Sequence, residues 1–220
     1  MQSRNLLTAI AAIVVAAALG YFAWTKYGAA PAAGAGPAAV TGDLLAPGPL
    51  PDQVLGKADA PVTIIEYASM TCPHCADFHT KTYPTLKEKY IDTGKVRLIF
   101  REFPLDELAL TASMLARCAG DGKYFPMVSV LFQHQRTWAV RDPVPQLLLI
   151  ARQAGLSQKA FEECTGNQKL YNDIVATRER ATKVFKVDST PTFFINGKVH
   201  RGELTVSELD RVIEPLLKTQ

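Results

Sequence analysis

Val62-Thr63-Ile64-Ile65-Glu66-Tyr67-Ala68-Ser69-Met70-Thr71-Cys72-Pro73-His74-Cys75 is the stretch on which the reading of this chain turns. Val62 to Ala68 has the β-branched and aromatic content of a buried strand, with one charge, Glu66. After the cysteines the pattern is helical to about Tyr90, and Gly94 breaks it. Two cysteines at i and i+3 therefore fall where a strand meets a helix. There the first sulfur faces unpaired backbone N–H groups and the positive end of the helix dipole, and both favour the thiolate. Pro73 suits the first turn, where its missing N–H costs nothing. A protonated His74 adds a positive charge nearby. A stabilised thiolate means a stable reduced form, and hence an easily reduced, oxidising disulfide. Cys75 is expected to point back into the protein as the second sulfur of the couple.

Glu66 lies six positions before Cys72. It reads either as a charge on an edge strand or as a buried carboxylate beneath the cysteines. In the second case desolvation raises its pKa, and it carries a proton to or from Cys75. Other uses of the cysteines fit less well. Haem attachment needs His directly after the second cysteine, and Ala76 stands there. A zinc site could take Cys72, Cys75 and His79, but no second C-x-x-C offers a fourth ligand. A purely structural bond would close a tiny loop and stabilise little. Outside the metal reading, His79 is expected on the surface or in a groove.

Downstream, Lys95 to Phe103 alternates as a second strand. Leu105, Leu108, Ala109, Ala112, Leu115, Ala116 and Ala119 then share a helical face that ends at Gly120. Further helices are expected over Tyr124–Gln135, Val144–Ala154, Ser157–Cys164 and Gln168–Phe185. Thr192 to Ile195, Asn196-Gly197 and Lys198 to His200 form a hairpin pattern, with a turn pair suited to positive φ. Thr205-Val206-Ser207-Glu208 is a capping box that opens a last helix to about Leu217. Thr190-Pro191 precedes the hairpin. Trp138 reads equally as core or as substrate surface. Cys118 and Cys164 lie among the helices and read either as a bonded pair or as two separate buried thiols.

Upstream, the 19 residues from Leu6 to Trp24 include only Thr8 and Gly20 outside the hydrophobic set, and Arg4 and Lys26 flank them. A basic start and an apolar run describe an export signal. The run is close to the ~20 residues that span a bilayer, and Tyr21, Phe22, Trp24 and Tyr27 cluster at its far end, as interfacial aromatics do. Residues 1–27 are therefore expected to be an uncleaved signal-anchor, with a cleaved signal peptide as the alternative. Residues 28–55, rich in Ala, Gly and Pro, are expected to be a linker. This leader holds the apolar excess of a chain that is 48% hydrophobic overall. The net charge of +3 offers no nucleic-acid footprint.

Cys72-Pro73-His74-Cys75, Glu66 before it, a long helical stretch and a late Thr190-Pro191 resemble the thioredoxin-fold thiol oxidases of the DsbA family. The resemblance covers residues 56–220. It implies an α/β thioredoxin fold with an inserted all-helical domain over about 104–166, here preceded by the N-terminal signal-anchor helix. It further implies that Pro191 is a cis proline beside the cysteines and that Thr190 holds the substrate peptide through its backbone. Several family members carry a second, non-catalytic disulfide in the inserted region, which implies a Cys118–Cys164 bond. Met70 and Thr71 stand where the best-known members have aromatics. The expected activity is donation of the Cys72–Cys75 disulfide to exported cysteine-containing proteins. The catalytic set is Cys72, Cys75, His74, Pro73, Glu66, Pro191 and Thr190, with no cofactor and no metal. The expected setting is the periplasmic face of a bacterial inner membrane, with a membrane quinone-linked protein restoring the disulfide. The chain is expected to be a monomer. Isomerase or reductase chemistry on the same fold is the runner-up.

Overall fold

The computed structural model describes residues 43–46 and 48–218. The expected signal-anchor or signal peptide over residues 1–27 and the linker up to residue 42 lie outside the described residues. No helix among the described residues is long and apolar enough to cross a membrane.

The strands are β1 (Gln53–Leu55), β2 (Val62–Ala68), β3 (Val96–Glu102), β4 (Thr192–Ile195) and β5 (Lys198–Arg201). They form one sheet in the order β1-β3-β2-β4-β5. β2 and β3 are parallel, and the other neighbours are antiparallel. A parallel pair needs a crossover. It is supplied by α1 (Pro73–Asp77), a π-helical turn (Phe78–Thr82), α2 (Tyr83–Leu86) and a second π-helical turn (Lys87–Ile91). Between β3 and β4 come α3 (Glu107–Arg117), α4 (Tyr124–Gln133), α5 (Gln135–Trp138), α6 (Val144–Gln153), α7 (Gln158–Thr165) and α8 (Gln168–Phe185). α9 (Val206–Lys218) closes the domain. This is a mixed α/β, thioredoxin-like fold with a large helical component.

The period-two alternation of β2 assigns its side chains to two cores. Ile65 and Tyr67 pack with Ile99, Phe194 and Phe185 of α8. Val62 and Ile64 pack on the other face with Phe78, Leu86, Leu209 and Ile213. Ala68 continues on that second face into a cluster with Leu115, Leu131 and Trp138 from the helices. Glu66 lies between them in the alternation, on a central strand, so the edge-strand reading does not hold. Trp138 is core, and its indole N–H donates to the Leu131 carbonyl at 2.6 Å.

The sequence patterns of the hairpin and last helix become explicit geometry. Asn196 and Gly197 both have positive φ, as a tight hairpin turn between twisted strands requires. Thr205 accepts from the Glu208 N–H, and the Glu208 carboxylate accepts from the Thr205 N–H.

The linker reading fails at its downstream end. Leu44 is buried with Ile65 and Phe103, Arg180 donates to the Asp43 and Ala46 carbonyls, and Gln53–Leu55 pairs with β3. Three strand residues set among Pro and Gly leave little periodicity to read, and their pairing depends on a strand more than forty residues away.

Candidate active site

Cys72 is the N-cap of α1 in extended backbone, and Pro73 opens the helix. Cys75 is fully buried beneath it, and both thiols are free. Thr190-Pro191 is a cis peptide, and the Cys72 thiol donates to the Thr190 carbonyl at 3.2 Å. The Thr190 hydroxyl, buried, has no partner. On ionisation the sulfur changes from donor to acceptor, so the carbonyl bond is lost and the free hydroxyl becomes the donor at hand.

The two sulfurs titrate in opposite directions. A hydrogen bond from the Cys75 thiol is the largest influence on Cys72. The Thr190 hydroxyl and the N–H groups of Cys75 and His74 act the same way, and together they outweigh burial and lower the Cys72 pKa to about 5. Burial pushes Cys75 well above the ordinary thiol value, and the charges of Cys72 and Glu66 add to this. The pair is thus one stabilised thiolate over one retained thiol, the asymmetry that thiol–disulfide exchange uses. The influence of His74 on Cys72 comes through its backbone N–H. Its side chain is 69% exposed and lies 3.8 Å from Glu203.

Glu66 is fully buried. Its carboxylate lies 2.9 and 3.1 Å from Nε2 of His79. His79 is therefore not a surface or groove residue; its side chain is 1% exposed. It lies in the π-helical turn, four residues after Cys75, and positions i and i+4 share a helix face. His79 thus follows Cys75 onto the inner face. Among the described residues Cys72, Cys75 and His79 do not bring their donor atoms within 4.8 Å of one another, as a shared ion would need. Among the described residues, the donors close enough to share an ion are His74, Asp77 and Glu203, and Asp77 is also paired with Lys81 at 2.9 Å.

Against family models the chain matches thioredoxin over residues 50–215. The crystal structure of Wolbachia pipientis alpha-DsbA1 superposes with a TM-score of 0.76 and 36% identity, covering 81% of this chain and 96% of that one. The chain belongs to the DsbA family. A Rickettsia bellii relative named as a protein-disulfide oxidoreductase is 34% identical over 169 residues, which is 76% of this chain and 65% of the relative. This chain therefore spans just under two thirds of that relative. Oxidised BdbD from Bacillus subtilis shares the fold, with a TM-score of 0.66 and 23% identity.

Several residues of this DsbA-family site carry no local sequence signal. Gln135 is buried and donates to the carbonyls of Met70 and Cys72 at 2.8 and 2.9 Å, fixing the loop that presents the first sulfur. Thr71 donates to Asp106, the N-cap of α3, at 2.7 Å. Glu102 is a second buried carboxylate at the end of β3, held by Arg117 and the Tyr124 hydroxyl, each at 2.7 Å. Beside α1 a pocket of about 210 Å³ is lined by Pro73, Ala76, Thr80, Phe132, Gln135 and Arg136. A larger cavity of about 590 Å³ lies away from the sulfurs, with Val54, Tyr83, Arg117 and Phe125 among its lining residues. Cys118 and Cys164 are joined by a disulfide.

Proposed function

We propose that this chain is an extracytoplasmic thiol:disulfide oxidoreductase that donates its Cys72–Cys75 disulfide to exported proteins. The observation that carries the reading is the geometry of the pair: Cys72 at the start of α1 donates to the Thr190 carbonyl beside cis Pro191, over a fully buried Cys75, which lowers the pKa of the first thiol to about 5 and raises that of the second. A substrate thiolate attacks Cys72 Sγ. The Cys72–Cys75 bond breaks, Cys75 takes the electron pair and a proton, and a mixed disulfide forms on Cys72. A second substrate thiolate then attacks the substrate sulfur, and Cys72 leaves as its stable thiolate. Glu66 manages the Cys75 proton, Pro73 and His74 set the helix start, and Thr190 and Pro191 border the substrate backbone. The Cys118–Cys164 bond serves structure.

In this reading residues 1–27 tether the domain to the outer face of a bacterial inner membrane, or are removed to leave it free in the periplasm. A membrane quinone-linked protein restores the disulfide. The chain works as a monomer, and the helices over about 104–166 are the insertion that shapes the substrate surface. The competing isomerase or reductase reading requires a pair that rests reduced.

Trapping with Cys75→Ala is the direct test. The variant should accumulate mixed disulfides with exported proteins through Cys72, and their absence in cells would overturn the catalytic role. Equilibration of the wild-type pair in glutathione buffers sets the direction. An oxidising couple is expected, and one as reducing as thioredoxin's would replace the oxidase by a reductase.

A further inference from the structure

Cys75 needs a proton when the disulfide opens and must lose it when the disulfide is restored, and it is fully buried. The charge of Glu66 reaches it. Glu66 and His79 hydrogen-bond each other beneath it, with side chains 0% and 1% exposed. His79 Nδ1 is buried and has no partner. The ring is surrounded by aromatics: Phe132 stacks on it at 4.4 Å and 21°, Tyr83 lies at 5.0 Å, and Phe78 and Phe100 meet it edge-on. Tyr83 also lines the 590 Å³ cavity, so a single ring touches both His79 and that cavity.

We propose that Glu66 and His79 are a two-seat proton relay for Cys75, with His79 the positioning residue that sets the pH range over which the relay holds its proton. This deepens the dithiol-exchange reading and rests on it. In the emptied state neutral His79 donates Nε2–H to the Glu66 carboxylate, and Nδ1 is bare. An added proton can sit on the carboxyl oxygen or convert the ring to imidazolium beside the carboxylate. Both forms are net neutral, and the stacked Phe132 face favours the cation. Glu66 alone has only the first form. The relay therefore keeps its proton to higher pH than Glu66 could with a partner that cannot titrate.

The balance closes in both directions. On attack at Cys72 the S–S bond breaks, Cys75 receives the electron pair, and the relay's proton moves to it. On reoxidation Cys75 returns the proton to the relay. Its thiolate then attacks the Cys72 sulfur of the mixed disulfide with the reoxidising partner, whose sulfur leaves with the electron pair. The titratable groups facing the relay are Cys75 on α1, Tyr83 on α2 and Tyr124 on α4. The charge of Glu66 makes each of them harder to ionise. Glu102 on β3 is committed to Arg117 and Tyr124.

His79→Gln keeps an N–H donor for Glu66 and cannot be protonated. The experiment measures disulfide opening by a model dithiol peptide, expressed per peptide thiolate, from pH 5 to 9 in wild type and H79Q. The rate should fall as the relay empties, with that fall at lower pH in H79Q by about one unit or more, and with a loss of about tenfold or more at neutral pH. Superimposable profiles overturn the relay while leaving dithiol exchange intact. Failure of the wild type to react at all overturns dithiol exchange itself. Nitrogen NMR of the wild-type His79 ring covers the case of a variant that does not fold. Its titration midpoint should differ between the disulfide and dithiol forms, and a ring that keeps one protonation state in both forms from pH 5 to 9 overturns the proposal.

Discussion

A thiolate at Cys72 accepts from the Cys75 thiol first, then from the Thr190 hydroxyl and two backbone N–H groups. Deleting a donor is therefore the direct probe of its acidity. Cys75→Ala should raise the Cys72 midpoint from about 5 by about one unit or more, and Thr190→Val by less. Ultraviolet thiolate absorbance reads both, and an unmoved midpoint in C75A would assign the acidity to the helix start alone. The two cysteines were legible because their spacing at a strand–helix junction is a local signal. Glu66 was only half legible, because its burial depends on β2 lying between β3 and β4. His79 was missed because its burial comes from Glu66, Phe100 and Phe132, which other elements bring to it. Gln135 was missed because it acts on carbonyls more than sixty residues away.

At the scale of elements, the Cys118–Cys164 bond ties the end of α3 to α7 across a sequence separation of 46. Its loop length corresponds to about 4 kcal/mol in the chain-entropy model. Cys118→Ala/Cys164→Ala should therefore lower the urea midpoint while leaving the Cys72 thiolate titration unchanged. A shifted titration would show that the bond also shapes the site. The helices and the terminal hairpin were readable from apolar period, from Asn196-Gly197 and from the Thr205–Glu208 box. β1 and Leu44 were not, since their order comes from partners distant in sequence rather than from their own pattern.

For the molecule as a whole, the acidity of Cys72 is also a statement about stability. Its folded pKa of about 5 lies below the ordinary value of 9.0. The unfolded reduced chain therefore holds this proton over a range where the folded chain has released it. Between those limits the group adds to reduced-state stability as pH rises, and that contribution is lost as pH falls through 5. The disulfide form has no such thiol. Reduced protein should thus gain on oxidised protein from pH 5 to pH 8 in paired denaturation curves; a constant gap would contradict the assignment. The bond between Cys118 and Cys164 has a consequence of another kind. On the oxidase reading proposed above, a donor of disulfides that carries one in its own frame is also a client of that trade. Each new copy has four thiols, two of which must be oxidised before its helices are fastened. On that reading, copies already charged are suited to that task.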